Sequence, residues 1–280
     1  MARRRREPET ATIDSVTHDG RGIAATQGKK AFVTGALVGE TVQFIRRKMR
    51  RNYDEAELLE VIEASPQRID ARCDAFGRCG GCSLQHVTPQ QQRAIKDQTL
   101  RDNLERIGKV EPVEWLAPMT GPEWNYRRRA RLAVKHVPAK GRTLVGFRER
   151  HAPFITDMLR CEVLAEPVDG MIASLSDLVG SLSIRARLPQ IEVAVAENAI
   201  ALVFRVLDPP TDADLDAFRK FGEDRQLRIY LQSGGLSTVE ILYAPDSGDP
   251  LRYTLPDFDV AIEFEPVAVS YTHLRAHETR

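Results

Sequence analysis

Three of the chain's four cysteines fall in one stretch, Cys73-Asp-Ala-Phe-Gly-Arg-Cys79-Gly-Gly-Cys82-Ser-Leu-Gln-His86, and the fourth, Cys161, lies far downstream. This spacing restricts the fold more than any other feature. If all four thiolates serve one centre, a loop must be tied to a distant part of the chain. Four sulfur donors suit an iron–sulfur cluster. They also suit a structural zinc ion, although zinc sites usually show two short Cys pairs and here one half is a single cysteine. Unrelated buried cysteines are a third reading, against which stands the clustering of three around Gly80-Gly81. A disulfide framework is disfavoured, because four cysteines in 280 residues is sparse and no secretory signal is recognisable. Gly80 and Gly81 are expected to adopt φ > 0 and to let the loop approach a bound group closely.

A chain of 280 residues is long enough for two domains, and 42% hydrophobic with 29% charged residues is ordinary globular composition. No apolar run approaches the ~20 residues that span a bilayer, so no membrane partner is expected. Cysteines kept as ligands point to a reducing, cytoplasmic setting. The zero net charge hides an asymmetry: residues 1–51 carry +7 and the remainder −7. A basic front end suggests contact with a polyanion, with a merely solvated charged face as the plain alternative.

Along the chain, Arg3-Arg-Arg-Arg6 reads as a self-repelling disordered arm. Residues 8–64 read as a small β-barrel of OB type. Strands are expected at 11–16, 31–33, 41–45 and 57–62, with turns at 18–22, 27–30 and 39–40. Arg46-Arg-Lys-Met-Arg-Arg51 is expected to form a basic turn, and such loops present cations to oligonucleotides. Residues 65–257 read as an α+β domain. Helices are expected at 89–107 (stopped by Gly108), 171–182 and 212–221, and strands at 124–134, 191–196, 200–206, 228–231 and 239–243. Gly146-Phe-Arg-Glu-Arg150 is expected to pair with the 124–134 strand. Period two would align Arg127, Arg129 and Arg131 on one face of that strand, a phosphate-facing row or a set of salt-bridged edge arginines. The RNA-binding candidates are therefore Lys29, Lys30, Arg46, Arg47, Lys48, Arg127, Arg129 and Arg131. A further strand opens at Phe258, and residues 267–280 carry no periodicity of a core element.

His18-Asp-Gly-Arg-Gly-Ile23, Ala31-Phe-Val33 and Gly35-Ala-Leu-Val-Gly-Glu40 resemble a TRAM domain, an RNA-binding barrel attached to RNA-modifying enzymes. With the C-x5-C-G-G-C-x-L-Q-H motif, the Tyr126-Arg-Arg-Arg-Ala-Arg131 strand and Cys161, the chain resembles the bacterial 23S rRNA (uracil-5-)-methyltransferases of the RumA/RlmD type. That resemblance implies a [4Fe–4S] cluster on Cys73, Cys79, Cys82 and Cys161, S-adenosylmethionine as methyl donor and 23S rRNA as partner. It also implies a Rossmann-like methyltransferase domain C-terminal to this region, carrying the donor site, a cysteine nucleophile and a carboxylate base. That domain is expected to be missing here, with residues 258–280 as its start followed by a non-native tail, so no catalytic or donor-binding residue is assigned. A monomer is expected. The competing functions are a non-enzymatic RNA-binding protein with a structural metal site and a tRNA uracil-5 methyltransferase of the same superfamily. The radical methylthiotransferases that also pair TRAM with iron–sulfur differ in cysteine spacing and in domain order.

Overall fold

The computed structural model describes residues 7–17, 19–26, 28–246 and 248–267. The arginine arm at 3–6, His18 and the tail from residue 268 therefore lie outside the described residues. The chain divides into two units, one built from residues up to Gly77 with Cys82–Pro118, the other from Arg78–Gly81 with residues from Met119 on.

In the first unit, alternation of small or branched apolar residues with polar ones builds five strands: β1 (Glu9–Val16), β2 (Arg21–Ala24), β3 (Lys30–Thr34), β4 (Thr41–Met49) and β5 (Tyr53–Glu63). They close into a barrel in the order β1-β2-β3-β5-β4, with β3 and β5 parallel and β1 pairing β4. One face of each strand fills the interior with Ile13, Ala24, Ala31, Val33, Val42, Phe44 and Ala56. The expected OB-type barrel is present, with two corrections. β2 occupies part of a stretch expected as a turn, because Gly22 mimics a turn residue. Its real role is close approach: a Cβ there would meet the Ala36 carbonyl oxygen and Ile13 Cγ2, each at 2.9 Å. Residues 46–49 belong to β4, and the basic turn is confined to residues 50–52.

Beyond the barrel, Arg68 grips the fully buried Glu40 with Nε at 2.5 Å and Nη2 at 2.7 Å. Helix α1 (Pro89–Asn103) is capped by Thr88, whose hydroxyl accepts from the Gln91 N–H. It buries none of its residues. It widens into a π turn at Leu104–Gly108, and Lys109, not Gly108, takes the left-handed terminal conformation.

The second unit is a six-stranded sheet in the order β11-β10-β9-β8-β6-β7, formed by β6 (Arg129–Val137), β7 (Arg142–Gly146), β8 (Gln190–Val195), β9 (Ile200–Arg205), β10 (Arg228–Gln232) and β11 (Val239–Tyr243). Only β9 and β10 run parallel, and α3 (Asp212–Arg225) makes that crossover. Helix α2 (Ile172–Ser181) lies against β7 and α3 against β10 and β11. A hairpin of β12 (Leu251–Leu255) and β13 (Val260–Phe264) packs on Ala194, Ala196 and Ala201 through Leu251 and Phe264. The strand expected from Phe258 is thus β13, and it pairs back on β12, which the pattern reading omits. The partner of β6 is Arg142–Gly146, not the 146–150 stretch, because Pro138–Lys140 makes the reversal earlier. No described helix is long and apolar enough to cross a membrane.

Candidate functional site

The cysteine stretch begins in a loop pinched at its base by the Arg68↔Val87 bridge. Within it the Cys73 N–H donates to Gln85 Oε1 at 3.2 Å, and the Phe76 ring lies 5.2 Å from that of His86. Residues 78–80 form a short antiparallel addition to residues 148–150. The Gly80 N–H donates to the Arg148 carbonyl and the Arg150 N–H to the Arg78 carbonyl, both at 2.9 Å. Gly80 and Gly81 do not adopt φ > 0, contrary to expectation; Gly77 does, at +83°. Gly80 is required for approach instead, since its Cβ would meet the Arg148 oxygen at 3.1 Å. The Gly81 N–H donates to Cys79 Sγ at 3.4 Å. Cys161 is buried in a turn, its N–H donating to the Asp169 carbonyl at 2.9 Å.

None of the four cysteines is in a disulfide. In number and softness the four thiols fit an iron–sulfur or zinc centre. Among the described residues, however, no group of three or more His, Cys, Asp or Glu side chains is gathered to hold a metal ion.

The cationic candidates separate into structural and available groups. Arg46 is structural. Its guanidinium is 13% exposed and reaches Glu9 Oε1 at 2.7 Å, Asp54 Oδ2 at 2.7 Å and Thr26 Oγ1 at 2.6 Å. The Glu9 carboxylate and then Asp54 hold its pKa above the ordinary arginine value against the cost of burial. Lys29 is partly committed, donating to the Arg50 carbonyl at 2.8 Å. Arg47 is exposed and pairs with the exposed Glu57, while Lys30 and Lys48 are exposed.

The arginine row of β6 is likewise split. Arg127 precedes the strand and pairs by backbone with Val163 and Ala165; its buried Nε has no hydrogen-bond partner among the described residues. Arg129 stands opposite Ala194, beneath the β12–β13 hairpin. Its guanidinium lies 5.4 Å from the Phe264 ring centroid, and burial pulls its pKa down. Arg131 stands opposite Glu192, outside that cover, 69% exposed and bridged to Glu192 at 3.0 Å. Nor is β6 an edge strand, since it lies between β8 and β7. Two cations were missed. Strand parity and register place the exposed Lys135 and, through Gln190, the half-buried Arg205 on the Arg131 face. Continuing the period-two count along β6 would have found Lys135. The available cations are thus Lys30, Arg47 and Lys48 on the barrel and Arg131, Lys135 and Arg205 on the sheet.

No family model matches the chain. It is 45% identical over 261 residues to the 23S rRNA (uracil(1939)-C(5))-methyltransferase RlmD of Methylococcus capsulatus, covering 93% of this chain and 59% of that protein. It is 47% identical over 256 residues to the protein of the same name from Aromatoleum aromaticum, covering 91% and 59% respectively. The chain therefore spans about three fifths of the length of the curated relatives it matches. Among solved structures, its fold is similar to that of Pyrococcus abyssi tRNA (uracil-54, C5)-methyltransferase in complex with S-adenosyl-L-homocysteine. That likeness has a TM-score of 0.66 at 17% identity, over 94% of this chain and 61% of that one.

Proposed function

We propose that this chain supplies the RNA hold of an S-adenosylmethionine-dependent methyltransferase that acts on C5 of a uridine in 23S rRNA. The observation that carries this reading is 45–47% identity, sustained over more than nine tenths of the chain, to relatives bearing that activity in their names. The barrel and sheet cations fit it chemically. An enzyme that modifies a base edge must hold the backbone while the base leaves its stack, and cations on phosphates do so without reading sequence. Uracil C5 becomes nucleophilic only after a nucleophile adds at C6, and a base must then remove the C5 proton. Neither role is assigned to a residue of this chain, because all four cysteines are assigned to a metal centre.

Cys73, Cys79, Cys82 and Cys161 are the proposed ligands of a [4Fe–4S] cluster, supported by four thiols and by the N–H that Cys79 Sγ accepts. When bound, the cluster supplies a thiolate cross-link between distant parts of the chain. Cysteine sites need not be preassembled, since ligand ordering is commonly coupled to metal binding.

The test is a hybrid in which this chain replaces the matching segment of the Methylococcus capsulatus relative. Methylation of 23S rRNA by the hybrid supports the proposal. A folded hybrid that methylates tRNA alone supports the tRNA reading, and one that binds neither RNA overturns both.

A further inference from the structure

On the outer face of the barrel two aromatic rings lie where the core does not need them. Phe32 projects from β3 and Tyr53 from β5. Their neighbours Ala31, Val33, Asp54 and Ala56 point inward and are buried, whereas both rings are half-buried and stand apart from the interior cluster. The rings stack, with centroids 4.5 Å apart and planes 14° from parallel. From β2, the Arg21 guanidinium carbon lies 5.2 Å from the Phe32 centroid. The exposed Lys30 stands in register with Tyr53. Three neighbouring strands thus present π surface and cations together, with Arg21 paired to Asp19 at 2.9 Å and Glu55, in register with Phe32, held by Arg50 at 2.8 Å. A stacked cross-strand aromatic pair also stabilises the sheet that carries it, so the ligand reading rests on the cations placed beside the stack.

We propose that the Phe32–Tyr53 stack, flanked by Arg21 and Lys30, is a base-stacking platform for single-stranded RNA. Every nucleobase has a π face, so an aromatic surface holds unpaired bases regardless of sequence, while adjacent cations take the phosphates. Over the barrel itself, residues 8–64, eight Lys+Arg stand against nine Asp+Glu, so the attraction to phosphates comes from the cations local to the stack and not from bulk charge. The inference rests on the RNA-binding reading above and adds to it a recognition of unstacked bases, which the lysines and arginines cannot provide.

The experiment measures binding of the full chain to oligouridylate and to an abasic ribose-phosphate oligomer of equal length, across a salt series. Phe32→Leu/Tyr53→Leu keeps apolar cover and removes the π faces, and amide exchange in β3 and β5 reports whether the barrel survives. The proposal expects oligouridylate to bind at least about tenfold more weakly to the variant, with an unchanged salt slope and unchanged binding of the abasic oligomer. Equal affinities for oligouridylate and the abasic oligomer in the parent chain, or a variant within twofold of the parent, would overturn the platform and leave the RNA reading standing. A parent chain that binds neither oligomer would remove both. Should the double variant unfold, Tyr53→Leu alone is read the same way, with at least a several-fold loss expected.

Discussion

Replacing Arg46 with Ala separates a barrel strut from an RNA contact. The guanidinium serves two carboxylates of unequal exposure. Glu9 is 39% exposed, so its pair at 2.7 Å is worth about 1 kcal/mol or less. Asp54 is 2% exposed. Without Arg46 it would keep, among the described residues, the Lys29 ammonium at 4.0 Å and the Arg50 N–H at 3.3 Å. Breaking a buried ion pair costs about 3–5 kcal/mol, and the residual Lys29 puts the estimate for Asp54 near the lower end, about 3 kcal/mol. Arg47→Ala removes an exposed pair, 58% and 52% exposed, and should cost under about 1 kcal/mol. In RNA binding the order reverses. Arg47→Ala should shallow the slope of log affinity against log salt by about 0.7–0.9, one phosphate contact, and Arg46→Ala should leave it unchanged while the barrel is folded. Urea unfolding with amide exchange in β4, beside a salt series with an rRNA fragment, provides both readings. A stability loss below about 1 kcal/mol for Arg46→Ala, joined to a slope change of one contact, would refute this reasoning.

Three further outcomes follow from other sites. Cys161→Ser should lower the iron content of anaerobically purified protein, with the brown colour lost; stoichiometric zinc and no iron in the parent would count against the cluster. Burial alone would raise the Asp214 pKa, but hydrogen bonds from Ser183 and Thr211 bring it down to about 2. The folded value is below the unfolded one, so this stability is complete above about pH 4 and lost as pH falls through about 2; Asp214→Asn should remove about 2 kcal/mol of pH-dependent stability, read from unfolding curves at stepped pH. Gly222→Ala should destabilise the sheet unit by about 1–3 kcal/mol in denaturant unfolding, because the new methyl would meet Tyr243 Cδ1 at 2.6 Å and Ile229 Cγ1 at 2.7 Å.

Much of the fold was legible where apolar period and turn chemistry agreed. The β8–β9 hairpin around Glu197-Asn198 and the helix beginning at Asp212, with Thr211 as its capping box, sit where the pattern puts them. The pattern misled where one residue type served an unusual purpose. Gly22 reads as a turn but admits the Ala36 backbone to the barrel wall. The run from Arg46 to Arg51 looks like a loop because it is charged throughout. Yet Val42 and Phe44 already set the parity that turns Arg46 toward Asp54, and the register shifts between Arg46 and Lys48. The candidate site was legible as chemistry and not as availability. Spacing cannot show that a hairpin covers Arg129 and leaves Arg131 open, since that cover comes from Phe264, more than a hundred residues away. The Phe32–Tyr53 stack was illegible for the same reason, because it joins strands paired only by barrel closure.

The most direct measurement of the central claim is the salt dependence of binding to a 23S rRNA fragment, for the parent chain and for a variant with Lys30, Arg47, Lys48 and Arg131 replaced by neutral residues. The RNA-hold account predicts a steep parent slope that falls by about 0.7–0.9 for each cation on a phosphate, with the fold intact. An identical slope in the folded variant would contradict it and place the RNA elsewhere on the molecule.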